Sequence, residues 1–223
     1  QEAFQRAFDG FDLEQVCAMA DTFLAQGFTY FDTAYVYHKG ESERVAKEAI
    51  VKRHDRNSFT LATKMPIFNF KSEDGPEKLD AYFAEQLEKC GVDYFDYYLL
   101  HSLDAGSYET VQRLDAFGWG MKEKAAGRIK RLGFSFHDKA EVLDRILTDH
   151  PEAEFVQLQI NYLDWDSQWI QSKACYETAV KHNKPVIVME PVKGGTLARV
   201  PEDVEKLFKE HAPNASPASW AVR

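Results

Sequence analysis

The sequence has few cysteines. The three that it contains, Cys17, Cys90 and Cys175, are widely separated along 223 residues. An odd number of distant cysteines is typical neither of a disulfide framework nor of a metal-binding cluster, and it favours a reducing, cytoplasmic setting. We therefore expect each cysteine to be a small buried residue rather than a reactive thiol.

Long apolar runs and an excess of basic residues are also missing. No apolar run approaches the roughly 18 residues that span a bilayer, and the first residues lack a signal-peptide pattern. The formal net charge of −9 argues against binding to nucleic acids or to anionic membranes, because both need a basic surface. No His-x-His pair follows a predicted strand, which disfavours a metal-dependent hydrolase. The hydrophobic content of 44% is ordinary for a soluble globular protein.

Predicted strands and helices alternate along the chain. Apolar, β-favouring runs predict six strands, at residues 28–33, 58–64, 94–101, 129–136, 155–161 and 186–190. Helical periodicity predicts helices at 13–26, 41–53, 77–90, 108–126, 138–149, 167–182 and 201–210, and one starting at 217. Asp12 is the expected N-cap of the first helix, and Ser167 that of the sixth. A repeat of about 30 residues indicates βαβ crossovers and a parallel sheet.

The alternation predicts an α/β fold, a (β/α)8 TIM barrel that forms a single domain over residues 1–223. Such a barrel typically takes ~250 residues. The helix at 13–26 and the helix starting at 217 each lack one neighbouring strand, so we expect a partial barrel without its first and last strands. A doubly wound open sheet is the alternative, which is disfavoured because no G-x-G-x-x-G segment follows a strand.

Polar residues end three consecutive predicted strands. Asp32 ends the first, with Tyr37 in the loop that follows, Lys64 ends the second, and His101 ends the third. The carboxyl ends of barrel strands lie on one rim, so these four side chains could meet. An ammonium stabilises a phenolate, a carboxylate holds the ammonium, and a neutral histidine can donate to a substrate oxygen. Together they could protonate an oxygen whose charge develops as hydride reaches the adjacent carbon.

Each of the four residues also has an ordinary structural explanation. Asp32 could end its strand at a turn, and Tyr37 could be a loop aromatic. Lys64 could be a solvated strand end, and His101 a hydrogen-bonded residue near the core. The joint arrangement is what favours a catalytic site.

Two segments of the sequence resemble the aldo-keto reductases: Asp32-Thr-Ala-Tyr-Val-Tyr37, and the Glu-Ser-Glu that follows at 41–43. Ala-Thr-Lys64 and Leu-Leu-His101 resemble the next two strand ends of the same family, and the resemblance covers nearly the whole chain. It implies reduction of aldehydes or ketones, as small-molecule substrates, by NAD(P)H. It further implies that Tyr37 is the general acid, that Lys64 activates it, that Asp32 holds the lysine, and that His101 orients the carbonyl.

The resemblance also implies the cofactor-binding residues. Ser135, in Gly-Phe-Ser, and Gln157 would contact the nicotinamide carboxamide, although Ser135 could simply end a strand and Gln157 could bond a barrel neighbour. Met189 stands where the family commonly has a stacking tyrosine, and Phe136 where it commonly has asparagine. The segment that grips the adenosine phosphate would follow Arg223, so both NADPH and NADH are compatible. Some similar bacterial members carry a ferredoxin-like extension, and an iron–sulfur cluster could lie only beyond Arg223, because the required cysteine cluster is absent from these residues.

Other hypotheses fit parts of the same pattern. Lys64 at a strand end could form a Schiff base in a lyase, although Asp32 would keep it protonated. A non-catalytic barrel that senses dinucleotides is a third possibility. Four aromatic residues near the strand ends could form an apolar substrate wall or could instead pack at the rim and between helices: Tyr35, Phe68, Phe70 and Trp119.

Overall fold

The computed structural model describes residues 12–223, and residues 1–11 of the predicted domain lie outside the described residues. The chain divides into two compact units, one ending at Phe134 and the other spanning Ser135–Arg223. A single domain over the whole chain stays a prediction.

The first unit alternates strands and helices. Its helices are α1 (Leu13–Ala25), α2 (Ser42–Ala46, continued by a π-helical turn over Lys47–Val51), α3 (Glu77–Cys90), α4 (Ala105–Arg113) and α5 (Ala116–Ala125). Its strands are β1 (Tyr30–Asp32), β2 (Thr60–Met65), β3 (Phe95–Leu103) and β4 (Ile129–Phe136), whose last two residues belong to the second unit. Asp12 caps α1 as predicted, since its carboxylate accepts from the Gln15 amide at 2.9 Å.

Strands β1, β2 and β3 are parallel, and β2 and β3 are mostly buried. β1 pairs with β2, and β2 pairs with β3, with Asp32 opposite Ala62 and Lys64 opposite Leu99. The core contains strand residues on both faces of the sheet, as expected where helices cover a parallel sheet. It includes strand and helix residues with at most 2% exposure, among them Leu61, Ala62, Phe95, Leu99, Leu132, Phe134, Leu79, Phe83 and Phe117.

The helix predicted over 108–126 is wrong as a single element. The chain forms α4 and α5 instead, and the break falls at Asp115, whose φ of 50° is left-handed. Aspartate tolerates this conformation better than most residues do. Leu114 on one side and Phe117 on the other are both buried. The apolar pattern therefore continues across the break, and periodicity alone could not detect it.

The second unit contains α6 (Ala140–Asp149), β5 (Phe155–Gln159), α7 (Ser172–Lys181), β6 (Val186–Met189), α8 (Glu202–His211) and α9 (Pro217–Ala221). β5 and β6 are parallel, with Gln159 opposite Met189. α6 buries Leu143, Ile146 and Leu147 and packs on α7. Within residues 12–223 no strand precedes β1 and none follows β6, as the sequence predicts.

The helix predicted over 167–182 begins later than expected. Ser167 does accept from the amides of Trp169 and Ile170, at 3.3 and 3.2 Å, but these bonds close a turn rather than a helix. Gln171, at φ 55°, separates that turn from α7. Its side-chain oxygen accepts from the Ala140 amide at 3.2 Å, which joins the start of α7 to the start of α6.

The buried state of the cysteines agrees largely with expectation. Cys90 and Cys175 are buried, whereas Cys17 is half-buried, and all three are thiols. No helix in residues 12–223 combines the length and apolar composition that a membrane span requires.

Candidate active site

Asp32 and Lys64 form an ion pair at the carboxyl ends of β1 and β2. Asp32 lies opposite Ala62 in the pair of strands. Lys64 is two residues further along β2 than Ala62, so its side chain extends back toward Asp32. Lys64 Nζ donates to Asp32 Oδ1 and to the Thr33 carbonyl oxygen, the latter at 2.8 Å. The Lys64 side chain is 1% exposed and that of Asp32 is 27% exposed. A buried ammonium needs such partners, since unpaired burial of a charge is costly.

Tyr37 is presented to Lys64 by a tight turn. The Tyr37 amide donates to the Ala34 carbonyl at 3.2 Å, and a short 3-10 helix spans Tyr37–Gly40. Lys64 Nζ lies 4.6 Å from the centroid of the Tyr37 ring, within the range of a cation–π contact. The Tyr37 residue is 36% exposed, so a ligand can reach it from solvent.

His101 lies between two aromatic rings. The centroid of the Tyr37 ring is 5.6 Å away at an interplanar angle of 78°, and that of Phe68 is 5.4 Å away. His101 is 7% exposed, whereas Phe68 is 51% exposed. Ser102, the next residue, has a φ of 59°, and left-handed non-glycine residues are often found at functional sites. The structure thus brings Asp32, Tyr37, Lys64 and His101 into one cluster.

Tyr30 joins this cluster and is not among the predicted site residues. Its hydroxyl donates to Asp32 Oδ2 at 3.1 Å. Burial, together with the Asp32 carboxylate, raises the pKa of Tyr30 well above its ordinary value, so the phenol stays protonated as a donor. The signal was present in the sequence, because residues two apart in a strand face the same side.

A buried polar network lies behind the cluster. Glu43, which is fully buried, accepts from the Thr63 hydroxyl at 2.6 Å and from the Gln86 amide at 2.8 Å. The Gln86 amide also donates to the Lys64 carbonyl at 3.0 Å. Burial raises the pKa of the Glu43 carboxyl, and these hydrogen bonds and the Lys89 ammonium oppose the increase only in part. The network therefore supports the strand end that carries Lys64.

The four aromatic residues near the strand ends have different environments. Trp119 is 7% exposed and donates from Nε1 to Asp80 at 2.8 Å, so it packs between helices. Phe70 is buried against Tyr82. Phe68, by contrast, packs on His101 and is half-exposed, which suits a wall of a substrate pocket.

The predicted cofactor-binding residues lie in the second unit. Ser135, near the end of β4, is 1% exposed, and Gln157, in β5, is 4% exposed. Met189 ends β6 and is half-buried. It pairs with Gln159, two residues after Gln157, so Met189 and Gln157 share a face of the strand pair. Beyond Met189, the Glu190 carbonyl accepts from the Asn161 amide at 3.2 Å.

No group of three or more His, Cys, Asp or Glu side chains in the described part of the chain is arranged to hold a metal ion. A family model described as "Aldo/keto reductase family" matches residues 3–222. The chain belongs to the aldo/keto reductase family. The family resemblance in the sequence is therefore confirmed.

Individual relatives in this family are longer than the chain. Aldo-keto reductase str7 of Strobilurus tenacellus is 30% identical over 188 residues, which are 81% of this chain and 52% of that protein. The 9,11-endoperoxide prostaglandin H2 reductase of Trypanosoma cruzi is 24% identical over 222 residues, covering 98% of this chain and 70% of that protein. The chain spans 45% of the matching aldo-keto reductase of Mycobacterium sp. (strain KMS). It thus spans about half the length of several relatives.

Solved structures show the fold. The aldo-keto reductase from Klebsiella pneumoniae in complex with NADPH matches with a TM-score of 0.68 at 22% identity, over 92% of this chain and 68% of that one. The thermostable aldo-keto reductase Tm1743 in complex with epalrestat matches with a TM-score of 0.70 at 20% identity, over 92% and 70% of the two chains. The barrel prediction is therefore confirmed over the doubly wound alternative.

Proposed function

We propose that this protein is an NAD(P)H-dependent oxidoreductase that reduces an aldehyde or ketone to the alcohol by hydride transfer. Membership of the family supports the reaction class, and a structural neighbour was crystallised with NADPH. The observation that carries the proposal is the placement of the Lys64 ammonium. It is held by Asp32 and lies 4.6 Å from the Tyr37 ring, which also contacts His101.

Tyr37 is the proton donor in this proposal. Its hydroxyl delivers a proton to the carbonyl oxygen as negative charge develops there. The Lys64 ammonium is fixed beside the ring and stabilises the phenolate that remains. Because Lys64 is buried, water screens its charge weakly, and the interaction is stronger than it would be at the surface. Asp32 holds the ammonium in place through Oδ1.

His101 orients the substrate carbonyl by donating a hydrogen bond. Its ring is buried between Tyr37 and Phe68, so its orientation is restrained by packing. A restrained donor costs little reorganisation when the oxygen becomes negative. The half-exposed ring of Phe68 offers an apolar surface to the substituent on the carbonyl carbon.

Ser135 and Gln157 fit a nicotinamide. A reduced nicotinamide supplies the hydride when it is bound. A buried hydroxyl and a buried side-chain amide provide the donors and acceptors that a carboxamide needs. Met189 is half-buried on the same strand face as Gln157, and its thioether can pack against an aromatic ring. NADPH and NADH are both included in the proposal.

The test is turnover by the full-length protein with a panel of aldehydes and ketones, followed as oxidation of NADPH or NADH. Tyr37→Phe is expected to lower kcat by about 10² or more, the usual worth of a positioned general acid, while the Kd for NADPH is unchanged. Tyr94→Phe is the matched control. Tyr94 stacks on Arg56 with 4.0 Å between the guanidinium carbon and the ring centroid, and the substitution keeps that ring.

Three outcomes separate the hypotheses. Wild-type kcat in Tyr37→Phe would contradict the assignment of the proton donor. Tight NADPH binding without turnover would favour a dinucleotide-sensing barrel. A substrate adduct trapped on Lys64 by borohydride would favour a Schiff-base lyase. The structure disfavours the lyase, because the Lys64 ammonium donates to both Asp32 and Thr33, whereas a nucleophilic amine needs an available lone pair.

A further inference from the structure

Lys89 lies behind the loop that carries Tyr37. It is in the last turn of α3, and its side chain is 8% exposed. Its Nζ atom lies 3.3 Å from Glu43 Oε2 and 3.9 Å from Glu85 Oε1. The same atom lies 4.2 Å from the centroid of the Tyr35 ring. One ammonium therefore contacts the loop, its own helix and a carboxylate of α2.

Tyr35, two residues before Tyr37, is held by one face of α3. Its hydroxyl donates to Glu85 Oε2 at 3.0 Å, and its ring packs edge-on against Tyr82 at 4.9 Å. Tyr82, Glu85 and Lys89 follow one another at intervals of three and four residues, so they share one face of the helix. Helix α3 therefore contacts Tyr35 in the loop through three side chains.

The loop that carries Tyr37 has a strained backbone. His38 and Lys39 have φ values of 50° and 59°, and Gly40 has a φ of 91°. A left-handed conformation is unfavourable for a non-glycine residue, so it persists only where the surroundings impose it. A Cβ atom at Gly40 would lie 3.7 Å from the Tyr35 carbonyl oxygen and 4.0 Å from Lys89 Nζ. The turn therefore lies directly against Lys89.

The other end of the Lys89 contact is Glu43. This carboxylate is fully buried and also bonds Thr63 and Gln86, which adjoin the Lys64 backbone. Buried ion pairs contribute little to stability compared with apolar packing, because both charges lose their hydration. The Lys89–Glu43 pair instead connects the Tyr37 loop to the end of β2, which carries Lys64.

We propose that Lys89 is a positioning residue for the proton donor, and this role presupposes the reductase function proposed above. Its ammonium contacts both the Tyr35 ring and Glu43, and we call this pair of contacts the clamp. The clamp stabilises the strained turn, and the turn positions the Tyr37 ring beside Lys64 and His101. Lys89 touches none of the reacting atoms and acts through Tyr37.

The test compares four variants of the full-length protein. Lys89→Met removes the charge at similar length, and Lys89→Arg retains it. Tyr35→Leu removes the ring while leaving the Glu43–Lys89 pair intact, and it decides the matter if Lys89→Met does not fold. Arg128→Met is the control, because Arg128 also pairs with a buried carboxylate, Glu123, at 2.5 Å.

Three measurements are made on each variant. Steady-state kinetics give kcat, and fluorescence titration gives the Kd for NADPH. Hydrogen–deuterium exchange followed by mass spectrometry reports on the backbone of residues 33–41. We expect Lys89→Met and Tyr35→Leu to lower kcat at least about tenfold, because misplacement by ~1 Å can cost 10²-fold, with an unchanged Kd. Exchange in 33–41 should accelerate in both, and Lys89→Arg should restore part of kcat. Arg128→Met should leave kcat, Kd and exchange unchanged.

Unchanged exchange in Lys89→Met and Tyr35→Leu would overturn the proposal, and so would faster exchange with wild-type kcat. Wild-type protein that binds NADPH but turns over no carbonyl would refute the reductase function instead. Faster exchange in 33–41 would still support the clamp in that case, so the two failures are distinguishable.

Discussion

The Tyr30 hydroxyl and the Lys64 ammonium bind different oxygens of one carboxylate. Tyr30 donates to Asp32 Oδ2 at 3.1 Å, and Lys64 donates to Oδ1. A carboxylate held at both oxygens has little freedom to rotate. Tyr30 therefore helps to fix the ammonium that faces Tyr37.

A hydrogen bond to a charged group contributes about 1.5–3 kcal/mol, which corresponds to roughly 12- to 160-fold. Because Lys64 still restrains Asp32 in the variant, Tyr30→Phe is expected to lower kcat by less than this, roughly three- to tenfold. Asp32→Asn should lower kcat further, because it removes the charge that pairs with Lys64. Steady-state kinetics with a saturating aldehyde would measure both. The prediction is wrong if Tyr30→Phe has a larger effect than Asp32→Asn.

Phe68→Ala is expected to change substrate preference. The Phe68 ring contacts His101 and is 51% exposed, so its loss removes apolar contact surface at low cost to the fold. KM should rise about tenfold for an aromatic aldehyde and much less for a short aliphatic one. Phe28→Ala is the control, since Phe28 is 58% exposed and precedes β1. Equal changes in KM for both aldehydes would contradict the assignment.

Ser135→Ala and Gln157→Ala are each expected to weaken NADPH binding. A neutral hydrogen bond contributes about 0.5–1.5 kcal/mol, which corresponds to roughly a two- to twelvefold increase in Kd. Ser172→Ala is the matched control, because Ser172 is equally buried at 1% exposure and donates to the Gln159 carbonyl at 2.7 Å. An identical Kd in all three variants and the wild type would remove these residues from the cofactor site.

Glu43→Gln is expected to alter the pH dependence of stability. Burial raises the pKa of Glu43 in the folded protein above its ordinary value of 4.5. A carboxyl with a raised folded-state pKa favours folding below the unfolded pKa, and this contribution is lost as pH rises through the folded pKa.

The free energy of unfolding of the wild type, relative to Glu43→Gln, should therefore fall as the pH rises from about 4.5 through the folded-state pKa. The total change would be about 1.4 kcal/mol for each pH unit that separates the two pKa values. Urea denaturation at a series of pH values would measure it. A difference that rises with pH would show that the Lys89 ion pair outweighs the cost of burial.

Cysteine alkylation is expected to be selective. Burial raises the pKa of Cys90, and burial together with Asp138 raises the pKa of Cys175 to about 11. Because the thiolate is the nucleophile, iodoacetamide at pH 8 should label the half-buried Cys17 first in the native protein. Peptide mass spectrometry would identify the labelled residue, and early labelling of Cys90 would contradict the structure.

The errors in predicting the elements have one physical origin. At Asp115 and Gln171 the chain enters a left-handed conformation inside a pattern that remains helical in its apolar spacing. Periodicity reports which residues are buried, and burial continues across the break at Asp115, whereas Trp169, just before the break at Gln171, is 93% exposed. The position at which a helix begins also depends on contacts that are distant in sequence, such as that of Gln171 with the Ala140 amide.

The sequence by itself determined the order of strands and helices, the barrel class and the four residues at the strand ends. These depend on periods of 2 and 3.6 residues and on short-range motifs, which are local properties. The tertiary structure decided which further residues support the cluster. Glu43, Gln86 and Lys89 act through hydrogen bonds and ion pairs between elements, whereas Tyr30 bonds Asp32 within its own strand. The packing of strands and helices brings together residues that are about 40 positions apart in the sequence. The spacing of apolar residues within one element does not predict such pairs.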